Sequence, residues 1–134
     1  MTVKDLDVFK KSYKFTLRIY EITRKFPKEE LFGLVSQMRR AAYSINSNLM
    51  EGSARGSVKE YAKFILISRG SSVELEYQLE LSKDLGYIDE FEFNDIIKEL
   101  NTIGKMLSSL HKSIKQVPDT KYPIPSTQYQ QEGL

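Results

Sequence analysis

"RRAAYSINSNLMEGSARGS", residues 39–57, is the stretch whose reading decides the fold. Arg39, Ala41, Ala42, Ile45 and Leu49 recur at helical spacing. Between them stand Ser44, Asn46, Ser47 and Asn48, types that usually favour caps and turns because their side chains compete for backbone hydrogen bonds. The apolar period predicts a helix that Gly52 closes as a C-terminal cap. Ser57-Val58-Lys59-Glu60 then reads as a capping box that starts the next helix. The link itself, Gly52 to Ser57, has two readings. It could be an anion cradle, with Arg55, Lys59 and the amides of the following helix facing it, or a plain cap followed by a cap. A phosphate-binding P-loop needs another spacing and a lysine, both missing here.

Working outward, helix 2 extends back to about Glu29, and helix 1 runs from about Asp5 to Phe26, stopping before Pro27. Helix 3 ends near Leu85-Gly86, and helix 4 starts at Asp89 and fades before Pro118. At roughly 100° per residue each segment has an apolar core stripe. In helix 1 it is Leu6, Phe9, Tyr13, Leu17 and Tyr20; in helix 2, Leu31, Leu34, Val35, Met38, Ala41, Ala42, Ile45 and Leu49. Helix 3 offers Tyr61, Phe64, Ile65, Ser68, Ser72, Leu75 and Leu79, and helix 4 offers Phe93, Ile96, Ile97, Leu100, Ile103, Leu107 and Ile114. No β alternation competes. Four helices with short links predict an all-α, up-down-up-down four-helix bundle over residues 1–116. Residues 117–134 hold three of the four prolines and no apolar period, so they read as a poorly ordered tail.

A chain of 134 residues, 40% hydrophobic, suffices for one domain with its own core. It contains no cysteine, which excludes disulfides, thiolate chemistry and Cys-ligated zinc. No apolar run approaches a signal segment or a membrane span, so the expectation is a soluble cytoplasmic protein. The net charge of +2 is unevenly spread: residues 1–28 carry eight basic and three acidic side chains, leaving −3 for the rest.

Two helices have more apolar surface than a lone bundle needs. Helix 1 carries a second stripe, Val8, Phe15, Ile19, Ile22 and Phe26, roughly 140° from the first. Helix 3 carries Ala62, Leu66, Val73 and Tyr77. Helices 1 and 3 occupy opposite corners, and two different adhesive corners make a heterologous contact that closes into a ring. The oligomer-interface candidates are therefore Phe15, Ile19, Ile22, Leu66, Val73 and Tyr77; alternatively, one stripe only widens the core. Lys10, Lys11, Lys14, Arg18 and Lys25 share one arc of helix 1, a stripe that can track phosphates with little sequence preference or simply remain solvated.

Catalysis finds little footing. A di-metal carboxylate bundle needs Glu-x-x-His on two helices, and His111 is the one histidine. It falls on the core stripe of helix 4 and reads as a boundary packing residue. Glu74, Glu76 and Glu80 point in different directions around helix 3. No catalytic, cofactor or metal residues are expected.

"QMRRAAYSINSNLMEG", residues 37–52, and "KEYAKFILISRGSSVELEYQLELSKDLGYI", residues 59–88, resemble the four-helix bundle family encoded within intervening sequences of bacterial 23S ribosomal RNA genes. Arg39, Arg40, Ala41, Ser44, Ile45, Asn48, Glu51 and Gly52 match its helix 2 pattern, and Gly70, Ser71, Glu74, Leu75 and Leu79 its helix 3 pattern. Asp5 to Phe9 looks like the family's opening, with Phe9 where Trp is common, while Leu49-Met50 departs from Ile-Ala. The match covers roughly residues 4 to 115. It implies a homopentameric ring of bundles and says little about biochemical activity. A related branch includes accessory proteins of diversity-generating retroelements, which implies nucleic acid or a protein as partner. Arg40, Ser44, Ser47 and Glu51 share a face of helix 2 suited to close approach of another helix, in an assembly or at a bundle edge, or to plain hydration. The reading is a non-enzymatic homo-oligomer that binds structured RNA through helix 1; the alternative is an adaptor that docks a protein.

Overall fold

The computed structural model describes residues 2–118. Four α-helices follow one another: α1 (Asp7–Thr23), α2 (Ser36–Ser53), α3 (Val58–Asp84) and α4 (Glu90–Lys115), with no strand among the described residues. A short 3-10 turn (Val3–Asp5) precedes α1, another (Lys28–Glu30) follows it, and a π turn (Leu31–Val35) leads into α2. Each helix packs on the next and α1 closes on α4, so α1 and α3 stand at opposite corners of a four-helix bundle. From residue 119, the tail expected over 117–134 lies outside the described residues; Val117 itself packs partly against the core.

The punctuation has visible causes. The Ser57 hydroxyl accepts from the Glu60 amide to start α3, and Asp89 accepts from Glu92 to start α4. Gly86, at φ +82°, ends α3: its amide donates to the Lys83 carbonyl and that of Tyr87 to Ser82, the paired bonds of a Schellman cap. Helix 2 starts later than the periodicity suggests. Gly33 (φ −114°, ψ −109°) breaks the helix, so Leu31 and Phe32 are exposed.

Gly52 does not cap α2. It lies inside the helix and is buried, and a Cβ there would stand 2.5 Å from Phe64 Cβ on α3. The left-handed residue of the link is Gly56, at φ +72°. Small side chains bring α2 and α3 together, and the Ser68 hydroxyl donates to the Ile45 carbonyl (2.9 Å) between them. Asn46 crosses the other side, its Nδ2 donating to the Phe9 carbonyl at 3.0 Å. Of the cap-forming residues within helix 2, Ser44 and Asn46 are thus cross-links between helices, while Ser47 and Asn48 bond Ser44 within α2.

The stripes of helix 1 are exchanged relative to the sequence reading. Val8, Phe15 and Ile19 are fully buried, and Ile22 and Phe26 nearly so. Tyr13 and Leu17 are each 56% exposed, and Tyr20 is half-buried; Leu6 and Phe9 alone of the first stripe are buried. The flanks explain the choice. The inner stripe borders Ser12, Thr16 and Thr23, small residues that admit α2; the Thr16 and Thr23 hydroxyls donate to backbone carbonyls. Tyr13 and Leu17 border Lys10, Lys14 and Arg24, whose charges demand water. Phe15, Ile19 and Ile22 are therefore core residues and form no surface for a second subunit.

Candidate nucleic-acid interface and docking faces

Lys10 and Lys14 project from the exposed side of α1 beside Tyr13. With Lys4, Phe9 and Met50 they line a groove of about 550 Å³ between α1 and the end of α2. Its walls are aromatic and aliphatic, its rim carries three lysines, and among the described residues no carboxylate lines it. A π face beside ammonium groups can take a base and its phosphate together.

The rest of the predicted arc is divided. Lys11 is half-buried on the side toward α4. Arg18 turns to α4, with Nη2 2.7 Å from Asp95 Oδ2 and Nη1 3.6 Å from Glu99 Oε2. That pairing makes Arg18 a clasp across the thinnest seam of the bundle and removes it from a phosphate stripe. Lys25 is exposed at the far end of α1. Lys10, Lys11 and Lys14 stay together; Arg18 and Lys25 do not join them.

The family motif is mostly structural. Arg39 Nε donates to the Thr23 hydroxyl (3.0 Å), Nη2 donates to the Tyr20 carbonyl (3.3 Å), and the guanidinium lies 4.7 Å from the Tyr20 ring centre. It closes the end of α1. The Ser44 and Ser71 hydroxyls meet at 2.9 Å across α2 and α3, and Asn48 Nδ2 donates to Ser44. Arg40 and Ser47 are exposed, and Glu51 holds Arg55 at 2.9 Å. Arg55 also covers the Phe64 ring and approaches Glu60, so the link between α2 and α3 uses its cation internally. Of the cap reading of that link, the Ser57 N-cap holds and the Gly52 cap does not. Glu74 is exposed and receives a long bond (3.4 Å) from Gln78.

On α3 the outward stripe is where the periodicity places it. Leu66, Val73 and Tyr77 are exposed, the last at 65%. Gly70 lies among them, and among the described residues nothing beyond its own stretch of helix comes within 4 Å of a Cβ built on it. A second exposed apolar face lies diagonally opposite, where Tyr13 and Leu17 of α1 are joined by Tyr43 and Met50 of α2. Sequence reasoning missed Tyr43 and Met50, which stand outside the helix 2 core stripe and are apolar enough to have signalled it.

His111 is half-buried near the end of α4, beside Lys115. Burial, and secondarily the Lys115 charge, lowers its pKa from the ordinary imidazole value. The Tyr87 hydroxyl donates to Glu30 at 2.8 Å, and that bond raises its pKa. Among the described residues no group of three or more His, Cys, Asp or Glu is placed to hold a metal ion, and no helix is long and apolar enough to cross a membrane.

The model of the 23S rRNA-intervening sequence protein family matches residues 4–109. The chain belongs to that family. Among solved structures it is similar to a crystal structure, at 1.70 Å resolution, of a protein of unknown function from the S23 ribosomal protein family of Bacteroides thetaiotaomicron VPI-5482. The two share 28% identity with a TM-score of 0.72, over 78% of this chain and 95% of the other. No curated protein matches in sequence. Membership in the 23S rRNA-intervening sequence family agrees with the all-helical architecture and leaves activity to be argued from the surface.

Proposed function

We propose that this protein is a non-catalytic, cytoplasmic, homo-oligomeric bundle that binds the phosphate backbone of structured RNA through the N-terminal half of α1. The observation that carries this reading is the groove of Lys4, Lys10 and Lys14 around Tyr13, with no carboxylate in its lining. Lys11 stands on the adjacent side. Contacts of this kind are electrostatic and largely indifferent to sequence.

Self-association is supported by the two apolar faces at opposite corners. Leu17 and Tyr43, outside the lysine groove, form the face flanked by Arg24 and Arg40; Val73 and Tyr77 form the face flanked by Glu74, Glu80 and Asp84. Opposite charge around complementary apolar stripes favours a heterologous contact, and a homopentameric ring is the closure that the family resemblance implies.

Binding of an RNA hairpin across a salt series tests the RNA reading. Lys10→Gln with Lys14→Gln keeps helix propensity and should flatten the log–log salt slope by about 0.7–0.9 per charge. An unchanged slope at unchanged mass transfers the protein to the adaptor reading, in which these lysines are solvated surface. Light scattering tests the ring, and a strictly monomeric mass overturns it.

A further inference from the structure

The bundle is electrically polarised along its length. Thr16 lies level with Ala42, Ser44 with Ser71 and Arg69 with Ser108, so a plane near these pairs divides the molecule into two ends. The end formed by residues 2–16, 43–72 and 105–118 carries eleven Lys and Arg against four Asp and Glu, a net +7. The other end, residues 17–42 and 73–104, carries eight against twelve, a net −4. Backbone dipoles do not create this difference. Each end holds two helix N-termini and two C-termini, which offset one another in an up-down-up-down bundle.

Helix 1 supplies only part of the positive end. Residues 105–118 contribute Lys105, Lys112 and Lys115 with no carboxylate, and the start of α3 adds Lys59 and Lys63. Between the beginning of α3 and the end of α4 lies a groove of about 480 Å³ floored by Val58, Ala62 and Leu66. Lys59, Lys63, His111 and Lys115 line it, and among the described residues no carboxylate does.

We infer that this groove between α3 and α4 is a second phosphate-contact site, taking the backbone of the same nucleic acid that the α1 groove engages, so that the whole positive end is the binding face. This rests on the RNA reading proposed above and extends it to residues distant from helix 1 in sequence. The occupant follows from charge complementarity. Lys63 and Lys115, in a lining that holds no carboxylate among the described residues, suit a polyanion, and an apolar floor tolerates sugar and base edges beside the phosphates. A neutral His111 within the groove gains a proton more readily once phosphates lie beside it. The charged groups facing it are Lys59, Lys63 and Lys115.

His111 is the one histidine of the chain, so its imidazole gives a single titration curve by NMR. Adding a short RNA hairpin to the full-length protein should move that midpoint upward. Lys63→Gln with Lys115→Gln should flatten the salt slope of RNA binding by about 1.5, from about 0.7–0.9 per charge, with helical circular dichroism and mass unchanged. The Lys10→Gln, Lys14→Gln protein should still show the His111 shift at RNA concentrations that saturate it. An unmoved His111 together with an unaltered slope in the Lys63, Lys115 variant overturns this inference, while a flattened slope in the helix 1 variant would leave the first reading standing. Loss of slope only in the Lys63, Lys115 variant moves the site from α1 to this groove. Tighter, equally salt-dependent binding to polyglutamate than to RNA overturns the nucleic-acid occupant altogether.

Discussion

The inner stripe of α1 and the outer stripe of α3 look alike in sequence and have opposite fates. Phe15, Ile19 and Ile22 are buried within the bundle; Leu66, Val73 and Tyr77 face outward and remain exposed. Both are aliphatic and aromatic residues at helical spacing. The difference lies in their neighbours. Beside the α1 stripe, Ser12, Thr16 and Thr23 let α2 approach, and the two threonine hydroxyls donate to backbone carbonyls. Beside the α3 stripe, Glu74, Glu80, Asp84 and Lys63 are exposed and keep that face in contact with water. An apolar stripe is core when its flanks can be dried.

The most forceful way to break this comparison is to put a charge in each stripe. Ile19→Asp buries an unpaired carboxylate and should cost about 4–5 kcal/mol or prevent folding, as read by urea denaturation. Val73→Asp should leave the helical signal intact and lower the mass of any assembly. Equal loss of fold in both variants would mean that the α3 stripe is also core.

Two helix-embedded glycines, Gly52 and Gly70, sharpen the contrast at smaller energies. Gly52→Ala forces a methyl against Phe64 and should destabilise by about 1–3 kcal/mol. Gly70→Ala meets nothing among the described residues and removes backbone entropy from the unfolded state, so it should stabilise the isolated bundle by up to about 1 kcal/mol. If α3 docks on a neighbour near Gly70, the same change should weaken assembly. Thermal midpoints and sedimentation at two concentrations separate the two effects.

The smallest expected effect is the pH dependence from His111, whose folded pKa is lowered by burial and Lys115. As the pH falls below about 6.5, the unfolded chain takes up a proton before the folded chain does. Stability is therefore full above that value and declines as the pH falls toward the folded pKa. Denaturation midpoints should show this decline, and His111→Gln should remove it. Polyanion bound at the positive end should reduce it, because the folded pKa then rises.

Much of the fold was legible in the residues. The capping Ser57 and Asp89 and the apolar periods of the later helices are local signals, and the structure reproduces the elements they predict. The site was legible only in part. Lys10, Lys11 and Lys14 were visible as an arc, but the pairing of Arg18 with Asp95 joins residues 77 apart in sequence, which helical phase cannot reveal. Lys63 and Lys115 escaped for the same reason, since charge summed along the chain disperses what the topology gathers at one end.

The sequence by itself determined that there are four helices, close to where most of them begin and end, because caps, glycines and apolar spacing act over a few residues. Which α1 stripe faces inward, that Gly52 serves helix approach rather than termination, and that the bundle has a positive and a negative end were decided only by the tertiary structure. Those outcomes depend on which distant side chains share a level and whether their flanks can lose water, and such neighbours exist only once the helices have packed.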